Sequence, residues 1–353
     1  MSSAQSPSSF PDERRAILAL TLVADVGSVT HRQLSETFRS AARALDDHCT
    51  AAERAGAYAS ADRMLDDAVQ RGISFTTIAD PQYPSQLRDL YDPPPVLWSR
   101  GDWAALRDPV VAVVGTRRAT SYGRRVTQEM VSAMARGGAT IVSGMAIGID
   151  AAAHLAALEA SGRTVAVLGT GADIPYPRAH TALLRHIAER GLVLSELPPG
   201  SHSGAGSFPR RNRIIAALAS LTVVVEAPER SGALITSRCA LDLGRDVAAV
   251  PGPIDSPQSY GANELIREGA NPITSVAEAL RLAGLAVPAR ISPRLVGDSE
   301  TRIWTALEST AASLDELCGR VALPVAQCLS TVTALELRGI VECAMTGEIR
   351  RRA

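Results

Sequence analysis

The sequence predicts a doubly wound α/β domain, a mostly parallel sheet with helices on both faces, flanked by a small helical domain and a winged-helix-like domain. From Pro109 onward, short β-branched runs alternate with helix-length segments, and the runs are apolar on both faces. Strands of that kind belong to a parallel sheet covered on both sides. The runs end in turns rich in glycine, proline and serine, where such a sheet presents its loops. A length of 353 residues exceeds one ordinary domain, so two or three are expected.

Strands are expected at Val110–Val114, Ala139–Val142, Thr164–Leu168, Leu192–Leu194, Thr222–Glu226 and Val247–Val250, with helices such as Tyr122–Ala135 and Asp150–Glu159 between them. They place the α/β domain at residues 75–285. Ahead of it, residues 11–72 read as short helices, with Leu34, Phe38, Ala41 and Leu45 on one face. The stretch Asp80–Asp102 carries Pro81, Pro84, Pro93, Pro94 and Pro95 and reads as an extended linker. A polar linker around Pro288–Gly297 follows the sheet. Residues 297–353 then show three helices and a hairpin turning at Gly347, the layout of a winged helix. Its last helix starts at Pro324, a favourable first-turn position, with Val325, Leu329, Val332 and Leu335 as the apolar face.

Composition narrows the function. The longest apolar stretch near the N-terminus, Ala16–Ala24, ends at Asp25, well short of the roughly 20 residues a membrane span needs. The first fifteen residues have neither a basic nor an apolar signal region, so a cytoplasmic protein without membrane contact is expected. The five cysteines are scattered, with no CxxC pair and no histidine at ligand spacing, which points to free thiols and no metal. The net charge is −1, so any affinity for nucleic acid must come from a local basic patch. All 36 basic residues are arginine, a side chain that grips phosphates bidentately.

In a sheet of this type ligands bind beyond the carboxyl ends of the strands, where loops and helix N-termini offer free N–H groups. The first predicted strand ends in Gly115, Thr116 and Arg117; the second in Ser143 and Gly144; the third in a loop with Gly171 and Arg178. FPRRNRIIAAL follows the fourth with Arg210, Arg211, Asn212 and Arg213, and EAPERSGALITS follows the fifth with Ser231, Gly232 and Thr236. Small residues, hydroxyls and arginines concentrated at these ends form a candidate phosphate-binding surface. Glycines that merely permit tight turns are the bland alternative for any single loop.

Other chemistries lack their signatures. GTRRATSYG is not GxGxxG, and in GTGADI Ile174 stands where a third glycine belongs. Without lysine there is no phosphate-binding GxxxxGK[ST] loop, and no GxSxG elbow is present. Asp150 and His154, four apart on one helix, could pair, but a helix cap and a partly buried structural histidine is the preferred reading. No cofactor is expected.

GTRRATSYG, SGMAIGIDAAAH, VLGTGADIPYP, SELPPG, FPRRNRIIAAL, EAPERSGALIT, AAVPG and GANELIREGA occur in this order. Over residues 75–285 the chain thereby resembles the DNA-processing protein A family, also called Smf. The resemblance implies a Rossmann-like domain that binds single-stranded DNA, forms a homodimer and loads the RecA recombinase in transformation or recombination, without enzymatic turnover. It also implies accessory domains of the kind seen here, the first a small SAM-like helical domain. Carried over, Arg117 matches the arginine of the family's Gly-Ser-Arg loop, with Thr116 keeping the serine's hydroxyl. Arg178 stands where members often have lysine, Arg211–Arg213 match the RNR motif, and Ser231–Thr236 match the SGALIT loop. His180 replaces an asparagine and Ala217 a glycine. VADVGSVT lacks the second glycine of a helix-hairpin-helix turn, so packing is expected of the first domain. The competing reading is a nucleotide phosphoribohydrolase of the lysine-decarboxylase-like family, whose PGGxGTxxE loop is replaced here by EAPERSGALITS.

Overall fold

β-Branched side chains restrict χ1 and pack well on a pleated surface, and the valine- and isoleucine-rich runs are strands in the computed structural model. It describes residues 12–204, 206–287, 295–308, 310–344 and 347–351. The chain divides into two compact units, Met1–Val287 and Pro288–Ala353.

The first unit opens with helices α1 (Asp12–Leu20), α2 (Ser28–Phe38), α3 (Ala41–His48) and α4 (Ala51–Gln70), then strands β1 (Ser74–Thr77) and β2 (Val96–Gly101). The alternating part runs β3 (Val110–Val114), α5 (Ser121–Arg136), β4 (Thr140–Ser143), α6 (Ile149–Glu159), β5 (Arg163–Leu168), α7 (Thr181–Arg190) and β6 (Leu192–Ser195). It continues α8 (Ser207–Leu218), β7 (Leu221–Val224), α9 (Gly232–Asp242), β8 (Asp246–Ala249), α10 (Tyr260–Arg267), β9 (Asn271–Pro272) and α11 (Val276–Leu282). The sheet order is β1-β2-β6-β5-β4-β3-β7-β8-β9. All pairs from β6 to β9 are parallel, while β1–β2 and β2–β6 are antiparallel. The fold is thus the doubly wound α/β class, and connections leave β3 in one direction and β7 in the other. That reversal opens a crevice between the loops that follow these two strands.

Two expectations change within this unit. The proline-rich stretch is not all linker: Val96–Gly101 forms β2 and buries Trp98 beside Phe75, ring centroids 5.4 Å apart. Three prolines just before it hid a strand whose own residues are good strand formers. The face drawn through Leu34, Phe38, Ala41 and Leu45 is broken between α2 and α3. Arg39 turns to φ 56°, and Ser40 caps α3 while donating to Glu13 Oε2 at 2.8 Å. Glu13 Oε1 also accepts from the Ala41 N–H at 2.6 Å, so a carboxylate from α1 fixes the break. The N-terminal helices share one apolar core with the sheet, in which Leu18, Leu45 and Leu65 join Phe75, Trp98, Ala166 and Val193.

The second unit contains α12 (Asp298–Ala306), α13 (Leu314–Val321), α14 (Val325–Leu337) and an antiparallel hairpin of β10 (Val341–Cys343) and β11 (Ile349–Arg351). Residues 288–294 of the expected polar linker lie outside the described residues. Ser313 and Glu316 form a capping box at the start of α13, the reciprocal arrangement that satisfies two otherwise orphaned N–H groups. On α14 the inner face is Cys328, Val332 and Leu335, whereas Val325 and Leu329 are exposed. The expected stripe was therefore one residue out of phase at its start: position 328, not 325 or 329, continues the i, i+4, i+7 row. No single helix among the described residues is long and apolar enough to cross a membrane.

Candidate functional site

The crevice between β3 and β7 is a cleft of about 440 Å³. Its walls come from the loop after β3, the start of α6, the first two turns of α8 and the start of α9. Of the residues expected at the site, Gly115, Thr116, Arg117, Arg211, Asn212, Ser231, Gly232 and Thr236 line it.

Arg211 forms the floor. It is 6% exposed. Its Nη1 donates to Gly144 O at 2.7 Å and to Val167 O, and its Nε donates to Asn212 Oδ1 at 3.1 Å. The guanidinium thus ties α8 to the ends of β4 and β5, and Asn212 carries the tie to α9 by donating to Gly232 O at 3.2 Å. Desolvation, with Arg117 nearby, lowers the Arg211 pKa to about 10, opposed by Asp150. It remains a cation at neutral pH. Its Nη2 takes no hydrogen-bond partner among the described residues, and the residue lines the cleft. A buried cation with a spare donor favours an anion in the space it faces. Gly144 does not line the cleft but makes room for this group: a Cβ there would lie 2.3 Å from Arg211 Nη1. Ser143 is likewise behind the wall, its hydroxyl donating to Val113 O at 2.7 Å.

At the mouth, Arg117, Arg118 and Arg230 are exposed and make no ion pair among the described residues. Arg117 lies over the Phe208 ring at 5.4 Å, and Phe208 packs on Tyr176 with centroids 4.8 Å apart. The N-terminus of α9, capped by Ser231, adds the positive end of a helix dipole.

The other expected residues lie elsewhere. Arg213 is held by Glu196 at 2.7 Å and Asp92 at 3.2 Å. Arg210 is exposed and pairs with Glu196 at 3.3 Å. Arg178 is exposed on the turn 178–180, outside the cleft lining. Gly171 packs under the chain, donating its N–H to Ser201 O at 2.8 Å. The arginine pair drawn from RNR thus splits, because residues two apart on a helix point about 200° apart, to nearly opposite faces.

Reading the sequence missed Arg118, Arg230, Phe208 and Asp150 as cleft residues. The first two stood next to chosen residues in the quoted motifs; the aromatic step between Phe208 and Tyr176 is long-range and left no local signal. Asp150 is buried, accepts from the Ala146 N–H at 3.3 Å, and has its pKa raised by desolvation. His154 is fully buried, with Nδ1 2.7 Å from Thr164 Oγ1, and burial lowers its pKa to about 3. The two serve separate partners and do not pair; His154 is structural, whereas Asp150 does not cap α6, whose N-cap is Gly148 without a side-chain bond.

Glu226, at the end of β7, is 3% exposed. Its carboxylate accepts from the Thr120 N–H at 2.9 Å and from the Thr120 hydroxyl, and its carbonyl accepts from the Thr116 N–H at 2.7 Å.

Residues 74–284 match the model of the DNA recombination-mediator protein A family, and residues 287–344 match the DprA winged helix domain. The chain belongs to this family. A putative DNA processing protein of Mycobacterium tuberculosis is 39% identical over 318 residues, covering 83% of this chain and 81% of the relative. The DNA processing protein of Bacillus subtilis is 41% identical over 219 residues, with 62% and 74% covered. Among solved structures, DNA processing protein A of Streptococcus pneumoniae superposes with a TM-score of 0.67 at 35% identity, covering 78% of this chain and 98% of that one. The Helicobacter pylori protein, described for its single-stranded DNA binding mode, gives 0.55 at 30% identity, with 60% and 98% covered.

Proposed function

We propose that this protein binds single-stranded DNA by its phosphates at the β3–β7 cleft and passes the strand to the RecA recombinase in the cytoplasm, acting as a homodimer and without catalytic turnover. The observation that carries the binding reading is the buried Arg211, with a spare Nη2, in one cleft with three exposed arginines, none of the four in an ion pair among the described residues. In a chain of net charge −1, that concentration of unpaired cations is a local anion site. The cleft suits a single strand, whose backbone bends into a small opening and whose bases can stack on the Phe208–Tyr176 step. The Helicobacter relative's single-stranded DNA binding supports the same reading. Phosphate contacts carry no base information, as suits a mediator that must accept any sequence.

The hydrolase alternative needs a carboxylate free to act on a ribose. Glu226 occupies that loop, but it is buried and committed to Thr120. The homodimer reading draws on family resemblance and on Ile235, Leu241 and Tyr260, exposed apolar side chains that line one depression between α9 and α10. RecA loading rests on the resemblance.

Arg117→Ala should weaken binding to a single-stranded oligonucleotide by about 1.5–3 kcal/mol and reduce the slope of log affinity against log salt by about 0.7. Arg213→Ala should instead lower thermal stability, by about 3 kcal/mol for a buried pair left unpaired, and leave the slope unchanged. A salt titration of both variants separates the roles, and an unchanged slope for Arg117→Ala refutes the site. Incubation with nucleoside monophosphates should release no free base above a buffer blank. Light scattering should give twice the monomer mass, and Leu241→Arg should return a monomer. On DNA coated with single-strand-binding protein, the lag before RecA hydrolyses ATP should shorten when this protein is added; an unaltered lag with intact DNA binding rules out loading.

A further inference from the structure

The loop that carries Arg117 and Arg118 is short, exposed at its crown and has its crossing hydrogen bonds at its two ends. Both ends meet the same residue. At the entry, the Thr116 N–H donates to Glu226 O at 2.7 Å, and Gly115 sits so close that a Cβ would lie 2.9 Å from that oxygen. At the exit, the Thr120 N–H and hydroxyl both donate to the Glu226 carboxylate. Thr120 Oγ1 in turn accepts from the Gly123 N–H at 3.1 Å as the cap of α5. Gly123 leaves the room the carboxylate needs, since a Cβ there would be 2.3 Å from Glu226 Oε2.

Glu226 has no ion-pair partner among the described residues and is almost wholly buried. A buried carboxylate without a cation is costly. Its acceptors are spent on one residue, at the positive end of α5. A carboxylate so placed does not serve the general stability of the sheet, which an apolar side chain would serve better.

We infer that Glu226 is a positioning residue for the DNA site, holding both ends of the 116–120 loop so that Arg117 and Arg118 are presented together over the cleft. The inference rests on the single-stranded DNA reading for its function, but its geometry can be tested apart from any ligand. Gln keeps a carbonyl acceptor for the Thr120 N–H, and its amide can donate to the Thr120 hydroxyl. Glu226→Gln should therefore retain most of the loop's order, and Glu226→Ala should keep the entry bond to the main-chain carbonyl but release the exit at Thr120.

Amide hydrogen exchange on the full-length protein reads the loop directly. Protection at Thr120 and Gly123, the end that the side chain holds, should fall at least ten-fold in Glu226→Ala and stay near wild type in Glu226→Gln, with protection unchanged in β4, in β5 and at Thr116, whose N–H bonds to the main-chain carbonyl that both variants keep. In parallel, binding of a thymidine oligonucleotide should weaken about ten-fold in Glu226→Ala and recover in Glu226→Gln. Glu226→Ala should have no further effect when added to an Arg117→Ala/Arg118→Ala background, because its influence passes through those arginines. Equal weakening in both backgrounds, or unchanged exchange at Thr120 and Gly123, overturns the proposal. If wild type binds no oligonucleotide, the DNA reading falls, and with it the DNA-site role proposed for Glu226; the exchange result then decides the loop clamp alone. If Glu226→Ala fails to fold, Thr120→Val, which keeps the Thr120 N–H bond but removes the hydroxyl arm together with the α5 cap it forms, is subjected to the same two measurements, with Thr120→Ser, which keeps both, as its control.

Discussion

The arrangement of the cleft depends on one buried cation. Arg211 reaches from α8 under the ends of β4 and β5 and spends its hydrogen bonds on two main-chain carbonyls and on Asn212. Carbonyls solvate the charge without pairing it, and Asp150, the carboxylate that also lines the cleft, acts on it through space rather than through a salt bridge, so the guanidinium holds three elements in register and leaves the floor with a cation that no ion pair among the described residues closes off. A carboxylate in their place would have given a tighter local bond and a neutral floor. Gly144 is the concession that makes the approach possible, and Asn212 passes the alignment on to α9, whose N-terminus forms the facing wall.

The remaining arginines divide by the company they keep. Arg213, one position along from Asn212, is neutralised by Glu196 and Asp92 and belongs to the scaffold. Arg117, Arg118 and Arg230, at the rim, make no ion pair among the described residues. Charge counting over the chain cannot make this distinction, because a net charge of −1 says nothing about which cations are paired. Sorting them requires the fold.

Much of the architecture was legible in sequence because it rests on local rules. Val110–Val114 and its counterparts are apolar on both faces, and that pattern has few outcomes other than a strand buried in a parallel sheet. The strand-end loops were legible too, since their glycines and hydroxyls mark where helices begin. What escaped was set by distance. Val96–Gly101 was hidden by the prolines before it, and its place in the sheet depends on a partner, β6, almost a hundred positions on. The break between α2 and α3 is enforced by Glu13 from another helix. Arg211 and Arg213 look equivalent in the motif and differ only in what the fold sets beside them. On α14, Cys328 took the inward place that Val325 and Leu329 were expected to share, a phase error that periodicity in so apolar a helix does not resolve.

The ends of the sheet have a consequence for assembly. At one margin lies β9, two residues long and ending in Pro272, which has no N–H to offer a neighbour. At the other lies β1, where Arg14 donates to Phe75 O at 2.6 Å and Asp80 accepts from the Thr77 N–H at 2.6 Å. Short, proline-bearing or side-chain-occupied margins are poor templates for a tenth strand. Copies of this molecule at high local concentration are thus discouraged from fusing sheet to sheet, which leaves contact between copies to helix surfaces, whose side-chain packing can part again where a shared ladder of main-chain bonds would not.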